Sequence, residues 1–125
     1  MTTPPQPQRI DRRLLGTWQS DRKPTIAGWR FDKRPTPKRK RQFLGIFGKL
    51  RVTYTRKRIA GVFGDYQFTQ RYEVLASDSE TVAIRYEDAQ LTSEWLIQHI
   101  HFEGTERYWI ALGGNREWFK KVKSP

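Results

Sequence analysis

The chain has 125 residues, 36% of them apolar and 14% aromatic, and its net charge is +11. This length supports one domain with its own hydrophobic core, and the aromatic content argues against a disordered chain. Because cysteine is absent, disulfide bonds, thiol nucleophiles and cysteine-bound metal clusters are excluded. No apolar run reaches the ~20 residues of a membrane-spanning helix, and the first eight residues lack signal-peptide character, which predicts a soluble cytoplasmic protein.

The positive charge is concentrated in the N-terminal half of the chain. Residues 1–58 contain 17 Lys/Arg and 3 Asp/Glu, whereas residues 59–125 contain 7 and 10. The two halves therefore carry +14 and −3. Such asymmetry indicates an anionic partner, which could be a nucleic acid, an anionic lipid surface or an acidic ligand, or else a solubilising region.

The first residues differ in composition from the rest. Residues 1–8 are polar and rich in proline, which predicts a disordered tail before a single domain that spans residues 9–125. The apolar spacing in Ile10–Leu15 predicts one or two helical turns that end at Gly16. Two weak strands are predicted next, over Trp18–Asp21 and Ile26–Phe31. Residues 32–41 are nearly all charged or proline, which predicts a basic loop.

The remainder of the chain is dominated by alternating apolar and polar residues separated by turn signals. Segments of this kind are typical of antiparallel strands joined by short turns. A sheet with one apolar face must cover that face, and closure also removes its exposed edges. The sequence therefore predicts an all-β, antiparallel up-and-down barrel of about seven or eight strands, which include Lys49–Thr55, Asp65–Ala76, Thr81–Glu87, Glu94–Phe102, Arg107–Leu112 and Glu117–Val122.

A short motif lies at the start of the first strand. Gly16-Thr17-Trp18 follows the predicted helical turn and precedes the strand series. This arrangement resembles the lipocalins of the calycin superfamily, particularly small bacterial lipocalin-like domains. The resemblance implies that Trp18 closes one end of the barrel and that a basic side chain from the last strand packs on its ring. Lys120 is the first choice for that partner, with Arg116 or Lys121 as alternatives.

The resemblance also bears on the segment after the first strand. Fatty-acid-binding relatives have a pair of helices at this point. The prolines of residues 32–41 disfavour helical structure, so we expect no such pair here.

Aromatic and polar side chains share the predicted inner faces of successive strands. They are either ordinary core residues or the lining of a ligand pocket, since barrels of about eight strands are filled by side chains or hold one small ligand. The pocket interpretation predicts a small apolar or amphipathic ligand, which includes an anionic one. The candidate pocket residues are Tyr54, Tyr66, Phe68, Gln70, Tyr72 and Tyr86.

His99 and His101 are the weak candidates for a metal site. Alternate residues of a strand share a face, and Glu103 falls on the same side, so two imidazoles and a carboxylate would lie together. The alternative is a polar stripe on the outer face of the barrel. Since the chain has no third histidine, we expect that stripe and no cofactor.

Catalytic motifs are sparse. The sequence has no Gly-X-Ser-X-Gly elbow, and Gly45-Ile-Phe-Gly-Lys49 lacks the Ser/Thr that completes a phosphate-binding loop. We therefore expect a non-enzymatic lipocalin-like binding protein.

A nucleic-acid-associated barrel is the alternative function. Basic residues outnumber acidic ones strongly between residues 33 and 58, a pattern that favours contacts with phosphates over the reading of bases. Weak contact with nucleic acid or anionic lipid is therefore expected. The candidate residues are Lys38, Arg39, Lys40, Arg41, Arg56, Lys57 and Arg58.

Overall fold

The structure is a computed structural model that describes residues 10–87 and 95–123. Eight antiparallel strands pair in chain order, and pairing of the first strand with the last closes the barrel. The predicted up-and-down barrel is therefore confirmed. Its elements are β1 (Gly16–Asp21), α1 (Arg22–Ala27), α2 (Pro37–Leu44), β2 (Arg51–Tyr54), β3 (Arg58–Phe63), β4 (Tyr66–Ser77), β5 (Thr81–Glu87), β6 (Trp95–Glu103), β7 (Arg107–Leu112) and β8 (Asn115–Lys121).

The strand count agrees with the prediction, although residues 26–31 and residues 32–41 were each assigned wrongly. The predicted strand Ile26–Phe31 is wrong, because its first residues belong to α1. Pro24 lies in the first turn of α1, where backbone N–H groups have no intrahelical partner, so proline is tolerated there. The strand that replaces it in the barrel is β3, which sequence analysis did not single out.

The predicted loop over residues 32–41 is also wrong in its second half. Pro37 is the first residue of α2, a position that suits its fixed φ and missing N–H. The hydroxyl of Thr36 accepts a hydrogen bond from the backbone N–H of Arg39 at 3.3 Å and caps the helix. Two helices therefore follow β1, contrary to the expectation drawn from the prolines.

A tight turn precedes the barrel, as predicted. The backbone N–H groups of Leu14 and Leu15 donate to the carbonyls three residues earlier, at 3.1 and 3.3 Å. Gly16 then has a φ of +117°, a conformation that other residues rarely adopt. The predicted tail over residues 1–8 and the predicted strand start at Glu94 lie outside the described residues.

The up-and-down topology separates the connections into two groups. The tight N-terminal turn lies at the same end as the β2–β3, β4–β5 and β6–β7 turns, which we call the closed end. The segment with α1 and α2 lies at the opposite end with the β3–β4 and β7–β8 turns, which we call the helix end. Inward-facing side chains between these ends form the core, with Trp18, Tyr72, Tyr108 and Phe119 among its largest members.

Specific hydrogen bonds hold the helical segment against the strands. The Thr25 hydroxyl of α1 accepts from the backbone N–H of Trp118 at 2.9 Å. The Asn115 side chain both accepts from and donates to the backbone of Arg30, at 2.7 and 2.8 Å. α1 and the segment that follows it are thus joined to β8 at the helix end of the barrel. In the described part of the chain, no helix is long and apolar enough to span a membrane.

Candidate ligand-binding cavity

Trp18 occupies the closed end of the barrel interior. It is fully buried, and its indole Nε1 donates to the carbonyl of Leu14 in the N-terminal turn at 2.9 Å. The ring of Tyr108 meets it edge-on, with centroids 4.7 Å apart. Trp18 is therefore buried against the N-terminal turn.

The basic partner of Trp18 is Lys121, so the first choice of Lys120 was wrong. Lys121 Nζ lies 4.8 Å from the centroid of the Trp18 ring and donates to the carbonyl of Leu15 at 2.6 Å. Along β8, residues 117, 119 and 121 face inward, whereas Lys120 is exposed on the outer face. Arg116, another alternative, is also on the outer face, with its guanidinium 3.9 Å from the centroid of the Trp109 ring.

A cavity of about 490 Å³ lies between the aromatic residues at the closed end and the helix end. We call it the main cavity. Its volume falls within the range of pockets that bind small molecules. The lining is apolar or carries neutral polar groups, and consists of Leu50, Val52, Tyr54, Ile59, Tyr66, Phe68, Thr69, Gln70, Ile84, Tyr86, Gln98, Tyr108, Ile110 and Phe119.

Two tyrosine hydroxyls meet in the lining of the main cavity. The hydroxyl oxygens of Tyr54 and Tyr108 are 3.4 Å apart, and both residues are buried. Burial raises the pKa of Tyr54 to about 12 and raises the pKa of Tyr108 well above its usual value. Both hydroxyls are therefore neutral at ordinary pH, and each can donate a hydrogen bond to, or accept one from, a polar group of a ligand.

Five of the six predicted pocket residues line the main cavity: Tyr54, Tyr66, Phe68, Gln70 and Tyr86. The sixth, Tyr72, is a correction. Its side chain is buried, and its hydroxyl donates to the carbonyl of Thr55 at 2.5 Å in the β2–β3 turn. Because this turn lies at the closed end, Tyr72 belongs to the core below the cavity.

Sequence analysis missed the contribution of the last three strands to the cavity. Gln98, Tyr108, Ile110 and Phe119 come from β6, β7 and β8. The alternation of Tyr108 with Ile110 on β7 was the available signal. On β6, the inner face is that of Ile100, but Trp95 and Ile97 on the opposite face are also apolar, so alternation is a weak signal on this strand.

His99 and His101 lie on the outer face of β6, which agrees with the polar-stripe alternative. Their ring centroids are 6.4 Å apart, and the His101 ring stacks on Trp109 at 3.9 Å. Partial burial is the largest cause that lowers the pKa of His101, and the nearby His99 and Arg116 lower it further. Within residues 10–87 and 95–123, no group of three or more His, Cys, Asp or Glu side chains is placed to hold a metal ion.

The predicted basic region does not form one surface patch. Lys38, Arg39, Lys40 and Arg41 lie on α2 at the helix end and are all exposed. Residues 56–58 lie at the closed end, in the turn that joins β2 to β3 and at the start of β3. Because β2 crosses the barrel between them, the two basic groups are at opposite ends of the molecule.

These features define a closed eight-stranded antiparallel barrel with an internal cavity, sealed at one end by Trp18 and with two helices at the other end. A closed barrel of this topology is compatible with a lipocalin-like fold. Searches among models of protein families, curated proteins and solved structures found no match to this chain.

Proposed function

We propose that this protein is a non-enzymatic, lipocalin-like binding protein that holds one small apolar or amphipathic ligand inside its barrel. The observation that carries the proposal is the main cavity, whose walls are apolar and whose polar groups are neutral. Burial of apolar ligand surface drives binding, at roughly 25 cal/mol per Å² before the cost of association is subtracted. The tyrosine and glutamine side chains supply the hydrogen bonds that orient the ligand.

The closed end supports the lipocalin-like part of the proposal. Trp18 lies under the N-terminal turn, and a basic side chain of the last strand packs on its ring. Both features match what the resemblance implies for this motif.

The lining of the main cavity restricts where a charged group of the ligand can lie. Among the described residues, no lysine, arginine, aspartate or glutamate lines it. An unpaired charge is costly to bury, so the part of the ligand inside the main cavity is neutral. A charged head group must therefore lie outside the main cavity, toward the helix end.

Blocking the cavity tests the proposal. Ile110 lines the main cavity, and its neighbour Ala111 is exposed on the outer face of the same strand. Ile110→Trp is expected to weaken binding of 1-octanol by at least about tenfold, which corresponds to ~1.4 kcal/mol. Ala111→Trp adds the same indole outside the barrel and is expected to leave the affinity unchanged. Isothermal titration calorimetry measures both, and circular dichroism checks the fold.

Absence of 1-octanol binding in the wild type would contradict the proposal. Equal affinity of the folded Ile110→Trp variant and the wild type would also contradict it, because the probe would then bind elsewhere.

A second candidate function, weak binding of nucleic acid, has its own observation. Four consecutive basic side chains of α2 are exposed, and Arg107 and Arg116 pack on Trp118 and Trp109 on the outer face of β7 and β8. Cations beside aromatic rings are typical of surfaces that bind single-stranded nucleic acid. The anionic-lipid alternative would use the same helix.

Fluorescence anisotropy with several oligonucleotides tests this candidate. Charge contacts alone predict micromolar affinity that falls steeply with salt and is insensitive to sequence. Neutralising residues 38–41 removes four charges at the helix end, and neutralising residues 56–58 removes three at the closed end, so comparison of the two variants shows which end binds. Tight, sequence-dependent binding at physiological salt would favour a nucleic-acid function over ligand binding.

A further inference from the structure

A second cavity of about 370 Å³ lies at the helix end, between the helical segment and the ends of the strands. We call it the rim cavity. Three aromatic side chains from the helical segment, Trp29, Phe43 and Phe47, contribute to its lining. Their ring centroids are 4.9 to 5.5 Å apart, so they form one aromatic cluster on one side of the cavity.

The rim cavity also contains a carboxylate. Glu117 lies on the inward face of β8, lines the cavity and is only 9% exposed. Ser20 donates a hydrogen bond to its Oε2 at 2.9 Å, and the Ser20 hydroxyl in turn accepts from the backbone N–H of Gly48 at 3.0 Å. Ser20 is therefore oriented to serve as a donor to Glu117.

Glu117 has no cationic partner among the described residues. By contrast, the carboxylates of Asp11 and Glu73 form ion pairs with Arg13 and Arg85. In the described part of the chain, no lysine, arginine or histidine pairs with Glu117, and its Oε1 receives no hydrogen bond. A buried carboxylate without a counter-charge is costly, and a cation beside it would offset that cost.

The two cavities are neighbours. Leu50 lines both of them. On β8, Glu117 lines the rim cavity, and Phe119, two residues further on the same face, lines the main cavity. Burial and the neighbouring Tyr54 raise the pKa of Tyr108 in the main cavity, and the charge of Glu117 adds to that rise. The two cavities therefore share part of their walls.

We propose that the ligand is an amphipathic amine whose apolar body occupies the main cavity and whose ammonium group binds Glu117 beside the aromatic cluster of the rim cavity. This inference rests on the proposed function and names the class of ligand. The carboxylate supplies an ion pair, and the faces of Trp29, Phe43 and Phe47 supply the electron-rich surface that attracts alkylammonium groups.

The positive net charge of the protein acts against a cation at long range, but the local carboxylate dominates. Exposed charges such as those of α2 are screened by salt over about 10 Å at 0.1 M. A buried carboxylate acts on its partner at contact distance and in a lower dielectric, where the same charges interact several times more strongly. The proposal therefore predicts selection for an ammonium group despite the net charge of +11.

Three probes with the same eight-carbon chain test the inference: octylammonium, 1-octanol and octanoate. Calorimetry at neutral pH is carried out on the wild type, Glu117→Gln and Glu106→Gln. Glu117→Gln keeps an acceptor for Ser20 and removes the charge. Glu106→Gln makes the same change in net charge at an exposed carboxylate at the closed end, where Lys123 lies 3.7 Å away.

In the wild type, octylammonium is expected to bind about tenfold or more tightly than 1-octanol, a difference of ~1.4 kcal/mol. Glu117→Gln is expected to abolish that preference while 1-octanol binding stays within about twofold, which shows that the main cavity is intact. Glu106→Gln is expected to behave as the wild type.

Equal binding of octylammonium and 1-octanol in the wild type would overturn the inference and leave the proposed function standing. Preference for octanoate, or a preference for octylammonium that survives Glu117→Gln, would also overturn it. Absence of 1-octanol binding in the wild type would contradict the proposed function itself.

Discussion

Lys121 Nζ lies 4.8 Å from the centroid of the buried Trp18 ring and donates a hydrogen bond to the carbonyl of Leu15 at 2.6 Å. A single ammonium group thus contacts the first strand and the turn before it from the last strand. This contact links the two ends of the chain at the point where β1 and β8 close the barrel. A side-chain contact therefore accompanies the backbone pairing that closes the barrel.

Lys121→Met is expected to lower the free energy of unfolding by about 1–3 kcal/mol, because it removes a charge-assisted hydrogen bond and a cation–π contact. Lys120→Met is the matched control, since it removes the same charge from the exposed outer face of the same strand. It is expected to change stability by less than ~0.5 kcal/mol. Urea denaturation measures both variants. Equal losses would show that the contact of Lys121 with Trp18 contributes nothing specific.

Trp18→Ala is expected to cost about 3–5 kcal/mol, as truncation of a large core aromatic does. The residue is fully buried and also donates its Nε1 hydrogen to Leu14. Trp109→Ala, which removes a half-buried tryptophan from the outer face, is the control and is expected to cost less. Thermal unfolding followed by circular dichroism compares the two. A Trp18→Ala variant as stable as Trp109→Ala would contradict the role of Trp18 at the closed end.

Gly61 controls the position of a cavity-lining ring. It pairs with Phe68 across β3 and β4, and a Cβ atom at position 61 would overlap the Phe68 ring. Because Gly61 is buried on the inner face, Gly61→Ala is expected to push that ring further into the main cavity. The affinity of the Gly61→Ala variant for 1-octanol, measured by calorimetry, should fall by about tenfold, or ~1.4 kcal/mol. Adding Phe68→Ala to Gly61→Ala is expected to restore binding, and failure to do so would contradict this explanation.

Glu117 predicts a specific dependence of stability on pH. Burial raises its pKa above the ordinary value of 4.5, and the hydrogen bond from Ser20 opposes part of that rise. A raised folded-state pKa means that the folded protein binds the proton more tightly than the unfolded chain does. This contribution to stability is therefore complete below about pH 4.5 and is lost as the pH rises through the folded-state pKa.

The ligand-free Glu117→Gln variant is expected to lack the loss of stability that the wild type shows as the pH rises through the folded-state pKa of Glu117. Its free energy of unfolding, relative to the wild type, should increase between acidic and neutral pH, as measured by urea denaturation across the range. Glu106→Gln, at an exposed carboxylate, is the control and should follow the wild type. A constant difference between Glu117→Gln and the wild type at all pH values would show that Glu117 titrates normally.

Much of the candidate site was accessible from the sequence because side chains alternate strictly along a strand. The alternation of Val52 with Tyr54, and of Tyr66, Phe68 and Gln70, predicted which side chains face inward. Tyr72 continues that alternation but lies at the closed end. Alternation predicts a face and not a depth, so it could not separate the lining of the cavity from the core beneath it.

The amino-acid pattern by itself determined the barrel and most of the inward-facing tyrosines, because alternation and turn residues are local properties. The position of Trp18 was implied by the resemblance that Gly16-Thr17-Trp18 carries. Tertiary structure decided between Lys120 and Lys121, because a shift of one residue moves a side chain to the opposite face. It also placed Glu117 in an aromatic cavity, since that cavity forms only where the helical segment covers the end of β8. Contacts between residues far apart in the chain leave no local pattern, and the folded barrel alone brings them together.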